Sequence, residues 1–268
     1  MRTTILSAAL LLFGVGAAHA DDVVVLSAAA LKAPLEAART IALAATGLGL
    51  RSSFGTAGAV ENRLSTGEAA DIVMLPPARL DELVQHGMVA GDSRVNLGVV
   101  RLGIAVRGGD ARPAIATEAD FRAALLAAPS IGLADHASGA TTGIYFARLL
   151  KQLHLDEILK PRIKLFADGT AAMEALARGE VAIAAGQISE IKPVPGVDLV
   201  GPLPDTLQLR TVYAAAIVTR SHAPQAARAM ITFLTSPKMA LVFAAAGFDP
   251  PVISTQIDHV GPVKLNAK

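Results

Sequence analysis

Two segments rich in glycine and hydroxyl groups stand directly before predicted helices, a position typical of anion binding. In Gly55-Thr56-Ala57-Gly58 the glycines would let backbone N–H groups approach an anion at the positive end of a helix. Ser138-Gly139-Ala140-Thr141-Thr142 repeats the arrangement with three hydroxyl groups. The alternative is that both are ordinary strand-to-helix turns, with either Thr141 or Thr142 capping its helix.

Other polar residues follow apolar runs and are candidates for the same site. Ser27 comes just after the first run and is expected either to contact a ligand or to bond the local backbone. Gln187 offers both a donor and an acceptor, which suits a carboxylic acid or its hydroxyl group better than a bare oxyanion. Asp135 and Asp168 are expected to serve in turns or caps.

Composition excludes several other kinds of site. The chain has no cysteine, and no two of its six histidines stand at a metal-ligand spacing, so we expect no metal and no cofactor. Lys and Arg total 24 against 23 Asp and Glu, with no basic tract, no Trp and two Tyr, which argues against nucleic-acid binding. The catalytic residues of any reaction remain unknown at this point.

Alternating apolar patterns indicate the elements that position these residues. Strands are predicted over 23–26, 50–54, 71–75, 130–134, 163–166, 181–185 and 212–218, and helices over 33–45, 59–65, 117–127, 141–153, 170–178, 224–234 and 237–246. The Pro-rich stretch 193–204 is predicted to be a loop. Such alternation favours parallel strands with helices on both faces of a sheet.

The pattern restarts after the apolar run 97–107, which predicts two α/β lobes. The last two helices are too few for a third domain and are expected to return to the first lobe. Lobe I would then comprise residues 21–102 plus 214–268, and lobe II residues 103–213, with hinge crossings near Leu102 and Tyr213. The ligand is expected in the cleft between the lobes, beyond the carboxyl ends of the strands.

The first 20 residues have the features of a cleaved secretory signal. Arg2 is followed by an apolar run over 5–15 and by Ala18-His19-Ala20. The run is shorter than the roughly 20 residues that span a bilayer, and no later run is long enough, so no membrane insertion is expected. We therefore predict a periplasmic protein.

Several short motifs resemble those of a known family. They are Val25-Leu26-Ser27-Ala28-Ala29-Ala30-Leu31, Ser53-Phe54-Gly55-Thr56-Ala57-Gly58, Thr66-Gly67-Glu68-Ala69-Ala70-Asp71-Ile72-Val73, Gly143-Ile144-Tyr145 and Phe233-Leu234-Thr235-Ser236-Pro237. In this order the chain resembles the type II periplasmic solute-binding proteins, and among them the molybdate-binding proteins of ABC transporters. The resemblance implies a two-lobed monomer that closes on a small anion and delivers it to an ABC-type permease.

The resemblance also implies which residues would hold the ligand. In the molybdate-binding proteins, hydroxyl side chains coordinate the oxyanion at positions where this chain has Ala30, Ala57 and Gln187. Losing these hydroxyl groups leaves the fold intact and changes the expected ligand. We therefore predict an organic carboxylate rather than molybdate.

The same branch is similar to a periplasmic enzyme, aconitate isomerase, which implies an alternative function. Proton transfer on a tricarboxylate bound in the same cleft would isomerise its double bond. This requires an acid-base group within hydrogen-bond reach of the moving proton. Glu61, Asp135, His136 and Asp168 are the candidate carriers, and none belongs to a recognisable catalytic motif.

Overall fold

A computed structural model describes residues 22–250 of the 268-residue chain. The predicted signal over 1–20 lies outside these residues and stays a prediction. Within the described part, no helix has the length and apolar character needed to cross a bilayer. The fold is α/β with two lobes, as the alternating patterns predicted.

The strands are β1 (Val23–Ala28), β2 (Leu50–Gly55), β3 (Ile72–Leu75), β4 (Val95–Arg107), β5 (Ile131–Ala134), β6 (Ile163–Phe166), β7 (Ile183–Gln187), β8 (Val197–Pro202), β9 (Arg210–Ile217) and β10 (Phe248–Asp249). The helices are α1 (Lys32–Thr46), α2 (Ala57–Ser65), α3 (Pro77–Gln85), α4 (Glu118–Ala127), α5 (Thr141–Gln152), α6 (Asp156–Leu159), α7 (Gly169–Ala177), α8 (Ile188–Ile191), α9 (Pro224–Leu234) and α10 (Pro237–Ala245).

The first lobe is built on the strand order β2-β1-β3-β9-β4. Strands β1, β2 and β3 are parallel, whereas β9 joins β3 and β4 in antiparallel pairs. β1 is apolar on both faces because helices cover both sides of a parallel sheet. One continuous apolar core joins residues 23–100 with residues 213–248, which we call lobe I.

The second lobe repeats this arrangement with the order β4-β7-β5-β6, and β8 pairs with β4 as well. Strands β5, β6 and β7 are parallel, while β4 runs antiparallel to β7 and β8. Residues 102–207, which we call lobe II, form two apolar clusters. The antiparallel strands in both sheets arise where the chain crosses between the lobes.

Strand β4 belongs to both sheets. Its residues up to Arg101 pair with β9 in lobe I, and its residues from Leu102 pair with β7 and β8 in lobe II. The returning chain lies beside this point, because the Leu102 N–H donates to the Leu209 carbonyl at 3.3 Å and to Gln208 Oε1 at 2.8 Å. The two crossings are therefore hydrogen-bonded to each other.

Several elements were not predicted from the sequence, among them α6, α8 and β10, and two further differences have a clear physical reason. Helix α3 begins at Pro77, where proline is tolerated in a first helical turn, although Pro76-Pro77 was expected only to end a strand. The stretch 193–204, expected to be a loop, contains strand β8. β8 forms because β4 offers it an antiparallel partner, and this tertiary contact leaves no local pattern in the sequence.

Candidate functional site

A small cavity lies where the two lobes meet, at the carboxyl ends of the parallel strands. Its lining comprises Ala28, Ala29, Ala30, Gly55, Thr56, Ala57, Ala140, Thr141, Thr142, Asp168, Gly169, Gln187, Glu190 and Tyr213. Its volume is ≈ 20 Å³, which holds little more than a water molecule. The lobes are therefore closed on each other in this structure.

The side of the cavity that belongs to lobe I presents mainly backbone. β1 ends at Ala28 and is followed by a 3-10 turn over Ala29–Leu31. β2 leads into Thr56, which caps α2 by accepting the Ala59 N–H on its side-chain oxygen at 3.1 Å. The Gly58 N–H of this turn donates to the Gly139 carbonyl, which leaves the Ala57 N–H at the positive end of the helix dipole.

On the lobe II side, α5 starts without a side-chain cap. Its N-cap is Ala140, so the expectation that Thr141 or Thr142 caps this helix was wrong: both lie inside the first turn. The N–H groups of that turn consequently have no capping side chain. Asp168 caps the neighbouring helix α7, with its Oδ1 accepting the Ala171 N–H at 2.9 Å. Three helix N-termini thus converge on the cavity.

A buried hydrogen bond between Gln187 and Tyr213 joins the two lobes inside the cavity wall. Gln187 Nε2 donates to the Tyr213 hydroxyl at 2.8 Å. Gln187 is only 1% exposed, and its Oε1 has no hydrogen-bond partner among residues 22–250. A buried acceptor left unpaired is costly, so this oxygen is ready to accept a donor from a ligand. Burial also raises the pKa of Tyr213, which keeps its hydroxyl neutral.

Glu190 is a buried carboxyl group in the same wall. It is 6% exposed, and its Oε2 accepts the Gln187 N–H at 3.2 Å. Burial raises its pKa to about 7; the Gln187 N–H lowers this pKa and the negative charge of Asp168 raises it. Gly169 makes room for the carboxyl group, because a Cβ at that position would lie 2.1 Å from Glu190 Oε2.

The lobes also touch at the rim of the cavity. The Gly58 N–H donates to the Gly139 carbonyl at 3.3 Å, and the Thr56 hydroxyl donates to the Ser138 carbonyl. A Cβ on Gly58 would lie 2.9 Å from the Gly139 Cα, and a Cβ on Gly139 would lie 2.7 Å from the Gly58 Cα. The closed contact therefore depends on glycine at both positions.

The structure brings most of the residues singled out in the sequence to this cavity. Those lining it are Ala30, Gly55, Thr56, Ala57, Thr141, Thr142 and Gln187. Ser27, Gly58 and Ser138 do not line it. The Ser27 hydroxyl donates to the Ala28 carbonyl at 3.1 Å, and the Ser138 hydroxyl donates to the Asp135 carbonyl at 2.8 Å.

Of the four proposed proton carriers, one lines the cavity and three do not. Asp168 lines the cavity, while the carboxylate of Asp135 accepts the Ala137 N–H at 2.9 Å as a local cap. Glu61 pairs with Arg79 at 2.6 Å, and His136 is exposed outside the cavity. Among residues 22–250 no three His, Asp or Glu side chains form a group that could hold a metal ion.

Sequence reasoning missed Glu190 and Tyr213. Glu190 stands three residues after Gln187, a spacing typical of a helix start, and that pattern was the available signal. Tyr213 is one of only two tyrosines and falls inside an apolar strand, where its hydroxyl group requires a partner.

Comparison with known proteins agrees with this architecture. The family model described as bacterial extracellular solute-binding protein matches residues 23–249. A protein named aconitate isomerase, from a Pseudomonas species, is 38% identical over 194 residues, which is 72% of each chain.

Two solved structures share the fold at low sequence identity. The periplasmic molybdate-binding protein of Azotobacter vinelandii has a TM-score of 0.72 at 18% identity, covering 85% of this chain and 99% of that one. The sulfate-binding protein of Mycobacterium tuberculosis has a TM-score of 0.68 at 18% identity, covering 87% and 88%.

Proposed function

The chain belongs to the bacterial extracellular solute-binding proteins, and we propose that it captures a small organic carboxylate in the cleft between its lobes and delivers it to an ABC-type permease. One observation carries this proposal. Three helix N-termini converge on a cavity whose polar side chains are an amide and two carboxyl groups as well as hydroxyls. The family and the predicted signal together favour a periplasmic site of action.

The backbone of the cleft supports an anionic ligand. The first turns of α2, α5 and α7 all reach the cavity through Thr56, Thr141 and Gly169. Their N–H groups and aligned dipoles favour negative charge without requiring a cation. Such donors from both lobes would stabilise the closed state more than the open one, which is the condition for ligand-driven closure.

The side chains of the cleft favour an organic acid over a metal oxyanion. Ala30 and Ala57 line the cavity without a hydroxyl group, at positions where the resemblance to the molybdate-binding proteins implies one. Gln187 Oε1 lacks a partner and requires an O–H or N–H donor. A hydroxy acid or a protonated carboxyl group supplies this donor, whereas a fully ionised tetrahedral oxyanion does not.

Ligand entry requires the lobes to separate. A cavity of ≈ 20 Å³ is far smaller than any di- or tricarboxylate, so the cavity must be larger when a ligand is bound. We propose that the hinge lies at the two crossings, near Leu102 and between Leu207 and Tyr213, where the apolar cores of the lobes are divided.

Thermal-shift screening of residues 21–268 tests this function. The panel contains molybdate, tungstate, sulfate and a series of di- and tricarboxylates. A ligand at 100 times its dissociation constant stabilises the protein by about 2.7 kcal/mol, so an organic acid that binds raises the melting temperature measurably. Strong stabilisation by molybdate, with none by any carboxylate, would contradict the proposal.

A second candidate function is isomerisation of a tricarboxylate, favoured by two observations together. The Pseudomonas relative is named aconitate isomerase, and a buried carboxyl group, Glu190, lies in the cleft wall. In this reaction a base removes a proton from the methylene carbon, and the electron pair forms a new double bond to the central carbon. The former double bond then takes a proton at its far carbon, so atoms and charge balance without a co-reactant.

Proton NMR of trans-aconitate in D₂O measures this activity directly. An isomerase forms cis-aconitate and incorporates deuterium, and Glu190→Gln then lowers the rate about a hundredfold or more, the usual contribution of a general acid-base group. The exposed Glu174 on α7 provides the matched control, and Glu174→Gln should leave the rate unchanged. Melting-point stabilisation without isomerisation would leave carboxylate capture standing and rule out the enzyme.

A further inference from the structure

The cleft combines an anion-binding backbone with two acidic side chains. Asp168 and Glu190 line the cavity, and within the described range 22–250 no Lys, Arg or His lines it. Two ionised carboxylates beside a ligand anion would repel it and each other, because no cation compensates them. A working anion site with this lining therefore needs one of the two groups to be neutral when the ligand is bound.

The surroundings identify Glu190 as that group. From α7 it faces the Asp168 carboxylate and the Gly169 backbone, and from β9 it faces the neutral Tyr213 hydroxyl. The 3-10 turn of lobe I contributes Ala29 and Ala30, which carry no charge. Lys192 follows α8, but it is exposed, and its Cδ lies beside Gly247.

Asp168, by contrast, lies where a negative charge is well accommodated. It is partly exposed to water, and its Oδ1 accepts the Ala171 N–H at the N-terminus of α7, where a negative charge is favoured. Glu190 has one N–H donor and almost no contact with water. Of the two carboxyl groups, Glu190 is therefore the one whose surroundings oppose a negative charge.

We propose that the cleft captures its ligand together with a proton: Glu190 takes up one proton from solvent, and its neutral carboxyl group donates a hydrogen bond to a carboxylate of the ligand. This inference rests on the proposed capture of an organic acid and names the residue that controls it. On release, Glu190 returns the proton to solvent, so the cycle balances without another reactant.

The protonation equilibrium of Glu190 makes ligand affinity depend on pH near neutrality. Burial of Glu190, together with the charge of Asp168, raises its pKa to about 7. Below that pH the group is already neutral and affinity is independent of pH. Above it, each additional pH unit lowers affinity about tenfold, because one proton must be supplied for each ligand bound.

Isothermal titration calorimetry with trans-aconitate and citrate at pH 8, in Tris and in HEPES, counts the protons taken up. The two buffers release protons with different enthalpies, so an uptake of about one proton per ligand appears as a difference in apparent binding enthalpy. Glu190→Gln imitates the neutral carboxyl group; it should abolish the uptake and bind about tenfold more tightly than the parent protein at pH 8. Glu174→Gln should behave like the parent.

Binding without proton uptake, or equal uptake by Glu190→Gln, overturns the proposal. If no probe binds, carboxylate capture fails, and a proton titration of the parent protein against Glu190→Gln still decides whether Glu190 titrates near 7; a value near 4.5 overturns the inference.

Should Glu190→Gln fail to fold, Asp168→Asn replaces it. Removing the Asp168 charge lowers the pKa of Glu190, so the pH at which affinity begins to fall moves downward, and an unchanged profile counts against the proposal.

Discussion

The two sides of the cleft recognise an anion by different means. Lobe I presents mainly backbone, framed by Ala28–Ala30 and Gly55–Ala57, together with the hydroxyl groups of Thr56 and Tyr213. Lobe II presents side chains: two threonine hydroxyls, the Gln187 amide and two carboxyl groups. The cavity is thus lined mainly by backbone on one side and by chemically varied side chains on the other.

This difference separates two tasks that a single surface would have to combine. Backbone donors on lobe I would attract any small anion, because they depend on the helix start rather than on particular side chains. Side chains on lobe II would select among anions by requiring a donor for Gln187 and a proton for Glu190. We expect substitutions in lobe II to change which ligand binds, and substitutions in lobe I to change how tightly the cleft closes.

The largest expected effect concerns the buried charge of lobe II. The pKa of Glu190 in the folded protein, about 7, lies above its ordinary value of 4.5, so its contribution to stability is complete below pH 4.5 and is lost as the pH rises through 7. The total change is on the order of 3 kcal/mol. Urea unfolding at pH 5 and pH 8 should show this loss in the parent protein. Equal pH dependence in Glu190→Gln would show that another group is responsible.

Closure is tested next, on lobe I. Gly58 lies in the first turn of α2, and Gly58→Ala favours that helix by about 1 kcal/mol while placing a methyl group against Gly139 of the other lobe. We expect the melting temperature to hold and affinity for a carboxylate probe to fall at least tenfold. Gly201→Ala is the matched control, since its Cβ meets only Ile115 at 3.8 Å. Undiminished affinity would mean that the loaded cleft never closes as far as this contact.

The hydrogen bond between the lobes predicts an effect on affinity of similar size. Tyr213→Phe removes the acceptor of Gln187 Nε2 and leaves a buried donor unpaired, at a cost of about 1–3 kcal/mol in the closed state. Affinity measured by calorimetry should weaken accordingly. The other tyrosine supplies the control, because the Tyr145 hydroxyl donates to the Leu207 carbonyl within lobe II. If Tyr145→Phe weakened binding equally, the bond between the lobes would have no special role.

The smallest expected effect is a gain of function on lobe I. Ala30→Ser combined with Ala57→Ser supplies the two hydroxyl groups that the resemblance to the molybdate-binding proteins implies, at buried positions that line the cavity. Each new hydrogen bond contributes about 1 kcal/mol. Molybdate should then raise the melting temperature of the double variant more than that of the parent. No gain would show that lobe II alone excludes molybdate.

Much of the fold could be predicted from local pattern. The strand over Ile163–Phe166 and the helix over Pro224–Leu234 were placed correctly, because apolar periodicity and proline positions are local signals. The positions of Thr56 and Gln187 beside the cavity followed from the rule that ligands bind beyond the carboxyl ends of parallel strands.

The remainder depends on contacts that are distant in sequence. Nothing near Glu190 indicates that Gly169 will leave room for its carboxyl group, and nothing near Gly58 indicates that Gly139 will touch it. Ser27 does not line the cavity, and its hydroxyl group bonds the backbone, a choice that local sequence left open.

Strand β4 has a mechanical consequence. Because its 13 residues belong to both sheets, the lobes cannot rotate about a free loop; the rotation must appear as extra twist in one hydrogen-bonded strand. Register shifts between Asn96 and Gly98 and between Ile104 and Ala105 lie on either side of the boundary, and such irregularities increase local twist. Twisting this strand would cost energy as the lobes separate. This cost would limit how wide the cleft opens and favour its return to the closed arrangement once a ligand leaves.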